Sequence, residues 1–118
     1  MEKAEFISIE DDEPDLILSF ALEDEDSGVK SLILMRTPLY ESILPPEERG
    51  VKVSMEGGSE DDRNMLEKIS IDNNRVRIFT SEEKYEVDIS AIEKFEYDEM
   101  TKFVKQLNFD SCFKIVFA

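Results

Sequence analysis

The sequence predicts an α+β fold: a mostly antiparallel sheet of about seven or eight strands, one principal C-terminal helix and a short helix in the middle. Three observations predict it. Apolar residues come in strand-length runs, such as Leu16 to Leu22 and Leu32 to Met35. Two consecutive hairpins in the second half place their apolar residues on one common face. Near the C-terminus, Met100, Phe103, Val104 and Leu107 fall at i, i+3, i+4 and i+7, a helical stripe. At 118 residues the chain is a single domain, 1–118, with no internal repeat and no low-complexity tract.

Asp15 to Asp24 and Val29 to Arg36 read as a hairpin joined by Glu25-Asp26-Ser27-Gly28. A four-residue loop sets Glu23 opposite Lys30, Leu22 opposite Ser31 and Phe20 opposite Ile33. One face then carries Leu16, Leu18, Phe20, Leu22, Val29, Ile33 and Met35; the other carries Ile17, Ala21, Leu32 and Leu34. Apolar residues on both faces predict a hairpin covered on both sides. A helix can cover one side; the other calls for a second sheet layer, a loop or another subunit. The same feature favours a curled sheet, a partial barrel or a dimer over a flat open sheet.

From Arg36 to Gly50 the strand pattern stops. Thr37-Pro38 can cap and start a short helix through Leu44, which Pro45-Pro46 ends. Val51 to Glu56 resumes as a strand, and Gly57 to Asp62 reads as a mobile loop.

Asn73-Asn74 suits a two-residue hairpin turn, since Asn tolerates positive φ. It pairs Ile71 with Val76 and Ile69 with Ile78 in the core, and Asp72 with Arg75 and Ser70 with Arg77 on the other face. The next turn, around Glu82-Glu83, aligns Ile78 with Val87, Val76 with Ile89 and Arg77 with Asp88. Two helix starts then compete. Ser90 and Glu93 form a capping-box pattern, but a helix begun there sets Glu96 inside the apolar stripe. A start with Asp98 as N-cap avoids that charge and is the preferred reading. Cys112 to Phe117 closes the chain as a final strand.

Composition restricts chemistry. Lys and Arg number 14 against 29 Asp and Glu, a net charge of −15, with no His, no Trp and one Cys. Such a surface repels nucleic acid and the anionic inner leaflet, so no nucleic-acid or membrane partner is expected. No run of about 20 apolar residues exists to span a bilayer. The first residues lack the pattern of a signal peptide, so a cytoplasmic protein is expected. Cys112 has no His to activate it and reads as a small buried hydrophobe. The clusters Glu10-Asp11-Asp12-Glu13, Glu23-Asp24-Glu25-Asp26 and Glu60-Asp61-Asp62 lack the ligand spacing of a Ca²⁺ loop. No metal, cofactor or catalytic residue is expected. Gly57-Gly58 precedes acids that repel phosphate. Paired carboxylates can still run hydrolysis when burial pushes their pKa values apart, which ranks a carboxylate hydrolase as the last functional alternative.

Two surface features stand out. Arg75, Arg77 and Phe79, beside Lys68 and Lys84, form a basic and aromatic island of the composition found at interface hot spots. The competing reading is cross-strand charge pairing, which is routine in sheets. The second feature is the irregular segment Pro38 to Pro46, with Leu39 and Tyr40 as candidate contacts. The function expected is a non-enzymatic protein-binding module, with a protein partner or self-association, including a homodimer. The alternative is an immunity or inhibitor-type protein that neutralises a basic, nucleic-acid-acting partner.

Overall fold

The computed structural model describes residues 2–12, 14–26, 28–56 and 64–117. Its elements in order are β1 (Glu2–Asp12), β2 (Asp15–Asp24), β3 (Gly28–Arg36), two 3-10 turns (Pro38–Ile43 and Pro46–Glu48), β4 (Lys52–Met55), β5 (Leu66–Ile71), β6 (Arg75–Thr80), β7 (Lys84–Asp88), α1 (Lys94–Leu107) and β8 (Lys114–Phe117). They make an α+β fold with one eight-stranded sheet in the order β4-β3-β2-β1-β7-β6-β5-β8. Neighbours are antiparallel except β1 with β7 and β5 with β8, which are parallel. The loop expected over Gly57 to Asp62 lies outside the described residues.

The sheet curls. Bulges fall between Ala4 and Phe6 and between Leu66 and Lys68, each adding a residue to one strand and increasing local twist. Curling brings β4 beside the start of β5, where a single bridge joins Lys52 to Met65. Backbone hydrogen bonds from Leu66 to Val51 (2.8 Å) and from Val53 to Asn64 (2.9 Å) hold that seam without closing the sheet into a barrel. Elsewhere, β1 pairs with β7 only at Glu2 and Lys3. Beyond them α1 runs alongside β1 in the same direction: Ile7 N–H donates to Glu96 Oε2 (3.1 Å), and farther on Gln106 Nε2 donates to Asp11 Oδ1 (3.0 Å). The helix thus covers a strand edge that would otherwise stand open.

Inside the curl lies one core. Leu16, Leu18, Phe20 and Leu22 of β2 meet Leu32 and Leu34 of β3, Val53 of β4, the β5–β7 residues Ile69, Ile71, Val76, Ile78 and Val87, and Met100, Phe103, Val104 and Leu107 of α1. The helical stripe is buried as the spacing predicts. Its start is not: the N-cap is Glu93, and Glu96 returns a bond to the Glu93 N–H in a capping box. Asp98 lies inside the helix. The charge that argued against this start is accommodated, because the other oxygen of Glu96 satisfies the Ile7 amide.

Two registers differ from the sequence reading. Asp24 pairs with Gly28, one residue earlier in β3 than expected, and Phe20 faces Leu32 rather than Ile33. Gly28 has φ +83°, the left-handed residue that ends a three-residue loop. This one-residue slip turns every β3 side chain over: Leu32, Leu34 and Arg36 point inward, while Val29, Ile33 and Met35 point outward. In the meander the first hairpin matches, with Ile69 facing Ile78 and Ile71 facing Val76. The second shifts by two, pairing Val76 with Val87, Arg77 with Glu86 and Arg75 with Asp88. The cause is Thr80. Its hydroxyl accepts from the Glu83 N–H (2.8 Å) and donates to the Glu83 carbonyl (2.8 Å), fixing a tighter turn. A two-residue slip preserves the faces, so the core prediction survives.

The middle helix is a 3-10 turn, Pro38–Ile43, rather than an α-helix. The Thr37 hydroxyl does not cap it but donates to Asp15 Oδ1 (2.8 Å). Pro46 starts a second short turn instead of only ending the first. β4 and β8 are shorter than expected, at Lys52–Met55 and Lys114–Phe117.

Candidate functional site

Arg36 ends β3 on the core side, 2% exposed. A buried guanidinium is costly unless every donor finds an acceptor. Nε donates to Glu41 Oε2 (2.7 Å) and Nη2 to Glu41 Oε1 (2.9 Å). Nη2 also reaches Asp110 Oδ2 (2.7 Å), while Nη1 reaches Asp110 Oδ1 (2.9 Å) and the Leu107 carbonyl (2.8 Å). Two forked carboxylates and a helix-terminal carbonyl therefore use all five N–H groups. The Phe109 ring stacks over the guanidinium at 4.1 Å. One side chain ties the end of β3, the Pro38–Ile43 turn, the C-terminus of α1 and the turn leading to β8.

The electrostatics follow from these bonds. Burial alone opposes the charge on Arg36, but the bonds to Asp110 and Glu41 outweigh it and raise its pKa. The Arg36 hydrogen bond draws Glu41 below the ordinary carboxylate range and Asp110 from 3.8 to about 2. Both carboxylates stay ionised near neutral pH, and neither is poised as a general acid.

Cys112 departs from the sequence reading. It is exposed as a residue, not buried, although its Sγ turns inward to 3.3 Å from Arg36 Nη1, sharing the N–H groups that also serve Asp110 and the Leu107 carbonyl. Burial of the sulfur pushes the thiol pKa up despite Arg36. The exposure arises because Cys112 precedes β8 instead of lying in it.

The clamp also shapes a groove of about 470 Å³, lined by Asp11, Pro14, Leu16, Pro38, Leu39, Gln106 and Phe109. Leu39 is 61% exposed and Phe109 58% exposed, and Tyr40 is exposed nearby in sequence. Leu39 and Tyr40 thus lie at the surface.

Arg75, Arg77 and Phe79 share the outer face of the meander. Arg75 is 3.8 Å from Asp72, and Arg77 is 3.7 Å from Glu86, which also takes Lys84 at 3.2 Å. Each arginine thus has an acid beside it, although Arg77 Nε is buried without a hydrogen-bond partner. Phe79 is flanked by Lys68 Nζ at 5.2 Å and Lys84 Nζ at 5.4 Å from its ring centroid.

A further surface differs from the sequence reading only in the residues that β3 contributes. The observed registers set side chains of β1–β4 in rows on the outer face: Phe6, Ala21, Ser31; then Ser8, Ser19, Ile33, Ser54; then Ile17 and Met35 between Glu10 and Lys52. In a chain with 36% charged residues, the centre of this face carries none. α1 packs on the opposite, core side. The sequence reading already gives this face Ile17 and Ala21; the observed register puts Ile33 and Met35 beside them in place of Leu32 and Leu34.

Among the described residues no group of three His, Cys, Asp or Glu side chains is placed to hold a metal ion, and no helix is long and apolar enough to cross a membrane. Compared with protein-family models, curated proteins and solved structures, the chain matches none.

Proposed function

We propose that the chain is a small acidic, non-enzymatic protein-binding module whose contact surface is the outer face of β1–β4. The observation that carries this reading is the uncharged centre formed by Phe6, Ile17, Ala21, Ile33 and Met35, with serines between them. Phe6 is 49% exposed, and Val29, opposite Glu23, is exposed as well. A sheet apolar on both faces needs cover on both, and α1 supplies it on one only. Hydrogen bonds hold Glu41, Asp72, Glu86, Asp88 and Asp110 below the ordinary carboxylate range, which supports a binding role over acid catalysis at those positions. The lone Cys112 suits a reducing, cytoplasmic setting.

The rim favours the second reading, an inhibitor or immunity-type protein with a basic partner. Glu10, Asp12, Asp15 and Glu23 border the uncharged centre and match a partner rimmed by Lys and Arg. Lys52, at the end of the Ile17–Met35 row, is a cation that a symmetric pair of these faces can set against those acids.

Affinity capture from a source lysate at low and high salt, with the wild type and Ile33→Glu, tests the reading. A stoichiometric partner held by the wild type and lost by a folded Ile33→Glu supports it, and salt sensitivity marks the basic partner. Sedimentation of the purified chain separates a homodimer. Equal capture by both proteins, or no partner and a monomer, would sink it.

A further inference from the structure

We propose that a row of side chains on the outer face of the meander, Lys114, Lys68, Phe79 and Lys84, docks an acidic, extended segment of a partner protein. The registers place Lys114 beside Lys68, Lys68 beside Phe79 and Phe79 beside Lys84, so β8, β5, β6 and β7 each contribute one member. This surface is separate from the uncharged face of β1–β4, and the inference does not depend on it.

The row differs from the rest of its sheet. One step along, Arg77 faces Glu86, and beyond that Arg75 lies between Asp72 and Asp88. Those cations are neutralised within the face. Lys84 shares Glu86, whereas Lys68 and Lys114 have no ion pair among the described residues. Like charges side by side on paired strands destabilise a sheet. A chain with 29 acidic residues has carboxylates to place there, and the described ones stand elsewhere. The arrangement gives up fold stability and gains a cationic strip with a phenyl ring inside it.

The chemistry specifies the ligand. Carboxylates satisfy the ammonium groups, and one apolar side chain covers Phe79. With strands about 4.8 Å apart, the row spans about 15 Å, the reach of roughly four or five extended residues. A short acidic segment feels mainly the local cations, because charges beyond about 10 Å are screened at moderate salt. A long phosphate backbone instead meets the field of a protein of net charge −15.

The probe is a short synthetic peptide of glutamates around one central phenylalanine, titrated at low salt and followed by amide NMR shifts. Shifts should map to the four strands, diminish as salt rises and require about tenfold more peptide in Lys68→Glu. Lys114→Glu should weaken the peptide while raising Tm, because it replaces a like-charge neighbour of Lys68 with an opposite one. That opposition of signs separates a binding defect from misfolding. The proposal is overturned if Lys68→Glu binds like the wild type, if oligothymidylate competes better than the peptide, or if Lys114→Glu lowers Tm. It is equally overturned if sedimentation shows self-association that Lys114→Glu abolishes, since the occupant is then a second copy.

Discussion

Arg36 and Asp110, separated by 74 positions in the chain, face each other through paired hydrogen bonds of 2.9 and 2.7 Å. The pairing is one half of a clamp whose other half is the fork onto Glu41. Because Arg36 is buried and lies where four segments converge, its bonds hold the C-terminal end of α1 and the Pro38–Ile43 turn against the sheet.

Arg36→Ala should lower unfolding stability by about 3–5 kcal/mol, the scale of removing one partner from a buried ionic network. Arg36→Lys should recover little of it, since an ammonium cannot fork onto two carboxylates. Urea titrations of the three proteins measure this, and a loss below about 1 kcal/mol for Arg36→Ala would show the clamp to be incidental.

The clamp should also make the fold acid-sensitive. Asp110 and Glu41 have lower pKa values folded than unfolded, so their stabilisation is fully present above the ordinary carboxylate range and drains away as protons reach the folded state. For Asp110 the window runs from 3.8 down to about 2. Its side chain is nearly half exposed, which damps the effect, while that of Glu41 is mostly buried. Urea midpoints followed downward from neutral pH should fall through this window, and less steeply in Glu41→Gln.

Glu96 does two jobs, capping α1 and accepting from the β1 edge. Glu96→Ala should cost about 1–2 kcal/mol and speed exchange of the Ile7 amide more than that of its neighbours on the β2 side. Unchanged Ile7 exchange would mean that the edge is protected by the helix as a whole.

Gly28 tests the corrected loop. At φ +83°, with nothing within 4 Å of an added Cβ, Gly28→Ala should be penalised only by backbone conformation, by about 1 kcal/mol. Gly28→Asn should fall between the two in a thermal melt. A neutral Gly28→Ala would argue for the four-residue loop.

Much of the fold is legible in the residues: the α+β class, the buried quartet of α1 and the meander core all follow from spacing. The clamp is not, and the reason is one residue of register. A four-residue first loop turns Arg36 outward, where it needs no explanation. The three-residue loop ended by Gly28 turns it inward, where a lone cation among leucines demands carboxylates. The same slip exchanges Ile33 and Met35 for Leu32 and Leu34 on the outer face. Asp110 carries no local signal, because its role depends on a partner far away in sequence. Glu96 misled for a related reason: a charge in an apolar stripe looks forbidden until an unpaired strand amide is found beside it.

β1 has its own consequence for how the molecule comes together. On one side it pairs with the adjacent β2, yet on the other it pairs with β7, and α1 lies along the rest of that edge. During synthesis the first hairpins can form early, but their leucine-lined side must wait for the last third of the chain before anything shields it. Closing such distant contacts is slow relative to hairpin formation. In that interval the nascent half-sheet presents apolar residues on both sides, with Glu10, Asp12, Asp15 and Glu23 at its margins as the charges that repel another copy.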